Sequence, residues 1–171
     1  MSLRLATLAD LDEAFQIIEE ARYRLKQAGS LQWNTGDGYP SYETLKNDIL
    51  NHQLYVYETT SLLGLAALIP GLDKNYVHID GKWQTSGDNY LTIHRIAIAN
   101  KALNQSIGFK IIEGAKEVAK NMNLTSIKAD THKVNKPMLK LLDKSGFIHC
   151  GEITLLDSDI DNKREAFEYV L

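Results

Sequence analysis

Between Leu91 and Ala119 the sequence LTIHRIAIANKALNQSIGFKIIEGAKEVA changes its hydrophobic period once, and that switch limits what the chain can become. Thr92, His94, Ile96 and Ile98 alternate with Ile93, Arg95 and Ala97 in a β-branched segment, which predicts a strand. Further on, apolar residues fall at Ile107, Ile111, Ala115 and Val118 or Ala119, the spacing of a helix with one buried stripe. A small polar turn, Asn104-Gln105-Ser106-Ile107-Gly108, separates the two. A strand that enters a helix through such a turn aims unpaired backbone N–H groups at whatever lies before the helix. With the helix dipole behind them, those donors suit an anion, phosphate above all.

The rest of the chain predicts what surrounds this unit. Leu3-Arg4-Leu5 reads as a first strand. Thr7 or Asp10 then caps a helix with a stripe at Leu11, Ala14, Phe15, Ile18, Ala21, Arg22 and Leu25, stopped by Gly29. The loop Ser30–Pro40 carries Trp33 and Tyr39, which either wall a pocket or plug the edge of the core. A short helix follows at Tyr42, Leu45 and Ile49, with Ser41 as its cap. Leu54–Glu58 and Leu63–Leu68 form an antiparallel hairpin. The connection Asp73–Tyr90 holds His78, Trp83 and Tyr90, and a connection of that length is usually functional or mobile.

Beyond the central unit, Leu124–Asp130 is a further strand, parallel to Leu91–Ile98 through a βαβ crossover. Asn135 caps the next helix and Pro137 enters its first turn, where a missing N–H costs nothing. Met138, Leu141 and Leu142 face inward, and Gly146 ends the helix. Strands at Phe147–Leu155 and Arg164–Leu171 close the chain as a hairpin. The expected fold is α/β, a mixed sheet of about seven strands with helices on both faces, in one domain spanning 1–171. If the two parallel strands part where their pairing stops, an extended ligand can enter between them.

Composition excludes several classes. A net charge of −3 and a pI near 5.9 argue against non-specific nucleic-acid binding. The lone Cys150 permits no internal disulfide, and no Cys/His spacing suggests a metal site. No apolar run of membrane-spanning length occurs and Met1–Arg4 is no signal peptide, so a cytoplasmic protein without membrane contact is expected.

The strand, turn and helix resemble the acyl-CoA-binding core of the GNAT family of N-acetyltransferases. The family's turn reads Arg or Gln, two variable residues, Gly, one variable residue, then Gly or Ala. Those positions here are Leu103, Asn104-Gln105, Ser106, Ile107 and Gly108, of which Gly108 matches. Leu103 removes a side-chain donor to the diphosphate. Ser106 brings a Cβ where the backbone should approach closely, although its hydroxyl can donate instead. The run Asn135–Phe147 resembles the family's second signature, an Asn followed by a helix ending Leu-Tyr-x-Lys-x-Gly-Phe. Asn135, Leu141, Lys144, Gly146 and Phe147 match, and Leu142 stands in place of the Tyr.

The resemblance implies acetyl-CoA as cosubstrate. It places the pantetheine arm along Ile96, Ala97 and Ile98, the diphosphate against Leu103–Gly108, and Asn135 and Lys144 beside the cofactor. In many members the Tyr replaced here by Leu142 protonates the leaving thiolate, so Tyr90, His132 or a water must serve, or the thiolate leaves unaided. A thiol titrating at about 8–9 leaves tolerably near neutral pH.

Acetyl transfer to an amine needs a base, a positioned N–H for the oxyanion and two substrates held together. His94 is the preferred base, with an ordinary pKa of ~6.5 and a place on the strand face of Ile96 and Ile98; a satisfied structural histidine is the alternative. Arg95 falls on the opposite face and reads as structural, and Cys150 as a buried thiol. Asp130 and His132 lie at the carboxyl end of the next strand, where α/β sites gather. Trp33, Tyr39, Trp83 and Asp130, with acidic residues of the loops, hint at a small cationic amine, while peptide N-termini and lysine stay open. The competing readings are a protein of this fold that binds acyl-CoA without catalysis, and a plain interaction module. The terminal hairpin could also pair two chains into a homodimer.

Overall fold

The computed structural model describes residues 2–171. Eight strands form one sheet in the order β1-β2-β3-β5-β6-β8-β7-β4. They are β1 (Ser2–Leu5), β2 (Leu54–Glu58), β3 (Leu62–Pro70), β4 (Asp80–Gly81), β5 (Tyr90–Ile98), β6 (Ser126–Thr131), β7 (Ile148–Thr154) and β8 (Lys163–Val170). The helices are α1 (Leu11–Gln27), α2 (Tyr42–Leu50), α3 (Ile107–Asn121) and α4 (Lys136–Lys144). The expected mixed sheet is present with one more strand than the sequence suggested. The addition is β4, two residues of the long connection that pair with Gly151 and Glu152. The closing hairpin joins the sheet through β8, which lies between β6 and β7.

Local chemistry explains the helix boundaries. Ser41 caps α2 by accepting the Thr44 N–H, while the Thr44 hydroxyl accepts the Ser41 N–H. Asn135 caps α4 by accepting the Met138 N–H at 3.3 Å. Gly146 takes φ +82° just beyond α4, a conformation that other residues enter at a cost. Asp10 ends a short 3₁₀ turn with Thr7, and Arg4 clamps its carboxylate with two bonds of 2.9 Å.

α1 packs on α2, β3 and β5, whereas α3 packs on β1, β3, β5, β6 and α4. A Cβ on Gly64 of β3 would meet Ile111 of α3 at 2.8 Å, so Gly64 and its partner Ile98 face α3. The main core runs through both layers, with Ile18, Leu45, Leu65, Leu91, Ile111 and Ile127 fully enclosed. A second small core under the long connection joins Tyr76, Tyr90, Ile153 and Ala166. Cys150 is buried as expected, and burial pushes its thiol up.

Two features of β5 set up the site. It pairs with β6 in parallel only through Tyr90–Ser126, Leu91–Ile127, Thr92–Lys128 and Ile93–Ala129, although both strands continue. Immediately beyond, β5 bulges against β3. Leu65 pairs with Ala97 but Ala67 pairs with His94, so one β3 residue opposes two on β5, and Arg95 takes φ +54°. The extra residue breaks the strand's alternation. His94 and Ala97 therefore share the face turned toward α1 and α2, while Ile98 faces α3. This corrects the expected grouping of His94 with Ile98. Arg95 does not oppose His94 either, because its guanidinium reaches Asp48 of α2.

Candidate functional site

The gap between β5 and β6 opens where the bulge begins. Ala99 donates its N–H to Leu63 O at 3.0 Å, which turns the Ile98 carbonyl away from β3 and into the gap. Strand backbone alternates, so the Ile98 N–H faces the same way. Beyond Ile93 and Ala129 no β6 residue pairs with these groups. The gap thus presents to an extended ligand a strand edge that β6 leaves unpaired, with Arg24 Nη2 on the Ile98 carbonyl at 2.6 Å.

At its far end lies the start of α3. A groove of about 280 Å³ is lined by Ile98, Leu103, Asn104, Ser106, Ile107, Gly108, Leu141 and Lys144, among others. Ser106 adopts a left-handed conformation, φ +58°, and leaves α3 without a side-chain cap. The first-turn N–H groups are consequently available to a ligand. Lys144 Nζ stands 5.3 Å from the centre of the Phe109 ring, at the same mouth. Gln105 turns back instead, its amide donating to Lys101 O at 2.9 Å.

On the α1 and α2 face, His94 Nε2 is 2.7 Å from Asp73 Oδ2. The other Asp73 oxygen accepts the Asn75 N–H at 2.9 Å. Burial works against the Asp73 charge, but the His94 contact and the Asn75 bond outweigh it and hold the carboxyl below its usual range. With the carboxylate on Nε2, the proton belongs there and Nδ1 carries the lone pair. Tyr76, 3% exposed, donates to Asp130 Oδ2 at 2.6 Å and lies 6.3 Å from the His94 ring. Burial first, then Asp130, pushes its phenol well up. Arg95 grips Asp48 through Nε at 2.7 Å and Nη2 at 2.8 Å, and donates to the Tyr39 hydroxyl at 2.7 Å. Burial opposes the Arg95 charge, yet Tyr39 and Asp48 more than restore it.

Several predicted residues stand elsewhere. Tyr90 is enclosed where β5 and β6 are zipped, its hydroxyl accepts the Asp73 N–H at 2.8 Å and its ring stacks on Tyr76 at 6.4 Å, so it supports the site from behind. His132 is buried with Nε2 2.9 Å from Asp161 and Nδ1 3.5 Å from Ser30 Oγ. It lines a separate cavity of about 150 Å³ with Lys133, Glu152 and Asp161. Trp83 does not join Trp33 and Tyr39. It packs on Tyr76 and covers Lys128 Nζ at 4.3 Å, with its Nε1 bonded to Tyr76 O. Arg22 ties down the Trp33 and Tyr39 carbonyls at 2.7 and 2.8 Å, so that loop is held as one piece.

Sequence reasoning missed Asp73 and Tyr76. Asp73 had a local signal, as an Asp two residues before an Asn in a turn. Among the described residues, no group of three His, Cys, Asp or Glu side chains forms a metal site. Nor is any helix among them long and apolar enough to cross a membrane.

A family model described as the acetyltransferase (GNAT) family matches residues 12–147. Among solved structures, a GNAT-family acetyltransferase from Streptococcus agalactiae shares 33% identity, covers 99% of this chain and 95% of its own, and superposes with a TM-score of 0.90. A ribosomal-protein-alanine N-acetyltransferase from Brucella melitensis shares 17% identity over 100% of both chains, with a TM-score of 0.73. A spermidine N-acetyltransferase from Vibrio cholerae, in complex with CoA and spermine, shares 17% over 99% of this chain and 94% of its own, with a TM-score of 0.67. At that identity the last two speak for the fold alone. No curated protein matches the sequence.

Proposed function

The chain belongs to the GNAT family of acetyltransferases, and on that premise we propose that it moves an acetyl group from acetyl-CoA to a primary amine by direct attack in a ternary complex. One observation carries the reading. The β5–β6 ladder ends at Ile93–Ala129, so a strand edge that β6 leaves open lies between His94 and the groove at the start of α3. The pantetheine arm extends that edge as a pseudo-strand, using the backbone of Ile96, Ala97 and Ile98. The diphosphate rests on the N–H groups around Ser106, Ile107 and Gly108, with Asn104 and Lys144 at the rim and Asn135 along the arm.

The thioester carbonyl then lies at the bulge, below His94. Nδ1 of His94 takes the ammonium proton, directly or through a water, while Asp73 fixes the ring and balances the imidazolium. A free N–H of β5 holds the oxyanion. Leu142 is fully buried and offers no proton, so coenzyme A leaves as a thiolate, and the second proton that the nitrogen sheds as the amide forms reaches it through water. Asp73 and Asp130 accept from His94 and Tyr76, and both carboxylates lie beside the site, with Arg164 the cation whose charge reaches Asp130. A small cationic amine is the acceptor that this charge favours, with Tyr39 and Trp33 beside its path.

Leu103, Ser106 and Leu142 favour one other reading, a protein that binds acyl-CoA as a sensor without turnover. A thermal-shift titration with acetyl-CoA followed by thiol release over a panel of amines separates the two. A shift with release supports the transferase. A shift without release from any amine supports the sensor, and no shift removes both.

A further inference from the structure

The gap already holds one guanidinium. Arg24 extends from the last turns of α1, and its Nη2 donates to Ile98 O at 2.6 Å. Its Nη1 donates to Asn100 Oδ1. The Ile98 carbonyl is the one turned into the gap, so Arg24 occupies an acceptor on the bare edge of β5. Both partners are neutral oxygens. Among the described residues no carboxylate stands at ion-pair distance from Arg24. Glu20, one turn earlier, spends an oxygen on the Asn100 N–H at 2.6 Å. Burial presses the guanidinium toward losing its charge, with Glu20 alone opposing. A charged fork held by carbonyl oxygens is under-paired, and it gains on meeting an anion.

That anion would sit close by. Ile98 lines the same groove as Ser106, Ile107 and Gly108, where the diphosphate rests in the reading above, and Leu103 at its edge carries no donor.

We propose that Arg24 makes the site selective for a phosphate-bearing acyl donor. The incoming arm takes over the Ile98 carbonyl, and the displaced guanidinium moves onto the diphosphate. For a donor without phosphate the same displacement is a loss, because the guanidinium gives up its carbonyl and gains nothing. The inference rests on the acyl-CoA reading and adds a residue that reaches the cofactor from α1.

The test is calorimetric, with acetyl-CoA and S-acetylpantetheine titrated in parallel into the wild type, Arg24→Gln and Arg24→Lys. Arg24→Gln should weaken acetyl-CoA roughly tenfold, the size of one charge-assisted contact, and leave S-acetylpantetheine unchanged or tighter. Arg24→Lys, which keeps the charge without the fork, should retain part of the preference and serves if the Gln variant does not fold. Equal weakening of both donors, or no change in either, overturns the proposal. A wild type that binds neither donor fails the acyl-CoA reading itself, which is a different result.

Discussion

Asp73 Oδ2 and His94 Nε2 lie 2.7 Å apart, joining the long connection before β5 to the strand it precedes. In the proposed mechanism this contact orients His94 as the base, with Nδ1 as the nitrogen that meets the amine. His94→Ala should lower turnover by about a hundredfold and leave acetyl-CoA affinity within error. Asp73→Asn should lower kcat less than His94→Ala and leave KM for acetyl-CoA unchanged. Steady-state kinetics from pH 6 to 9 decides it, and a His94→Ala profile that overlays the wild type removes His94 as the base.

Ser106 enters α3 at φ +58°, a conformation that costs a residue with a Cβ about 1 kcal/mol. Glycine pays no such cost and lets a phosphate approach the backbone. Ser106→Gly should therefore tighten acetyl-CoA several-fold while changing the thermal midpoint little. Weaker binding would mean that the Ser106 hydroxyl is itself a phosphate donor.

The Arg95–Asp48 pair fixes the bulge to α2, with side chains 9% and 8% exposed. Removing one partner strands a buried charge, which costs about 3–5 kcal/mol. Asp48→Ala should lose stability of that order in urea, and Asp48→Asn less. A loss below about 1 kcal/mol would place the pair among surface bridges.

Asp10 gives a pH signature. Its bonds to Arg4 outweigh burial and lower its pKa from 3.8 to about 2. A carboxylate whose pKa is lower when folded stabilises the protein above the unfolded value, and that stability is lost as pH falls toward the folded value. Arg4 is a third exposed, so the contribution is discounted to about 1 kcal/mol. Asp10→Asn should be less stable than wild type at pH 7 by that amount, and the two should converge between pH 4 and 2. A gap that persists at pH 2 would assign the loss to the Thr7 contacts.

Much of this architecture was readable because local signals and tertiary structure agree. The switch of period at Asn100, the Asn135–Pro137 helix start and the Gly146 stop are each set by short-range chemistry. The resemblance points to Leu103–Gly108 as the diphosphate end, and all of these but Gln105 line one groove. What was not readable depended on partners far along the chain. Alternation put His94 with Ile98, and only the pairing of β5 against β3 reveals the extra residue at Arg95. Asp73 and Tyr76 sit in a connection without periodicity, and their roles arise from where β4 pins it. Arg24 looks like a solvated helix residue until β5 supplies Ile98 O. Eight strands in place of about seven follow from the same cause, since two residues carry no alternation.

Amide hydrogen exchange at Ile98, followed by NMR with and without coenzyme A, tests the central relationship between gap and cofactor. The N–H of Ile98 should exchange rapidly in the free protein, and become strongly protected when the arm pairs with β5. Protection already present in the free protein, or rapid exchange that saturating coenzyme A leaves unchanged, would contradict an open edge that the acyl donor completes.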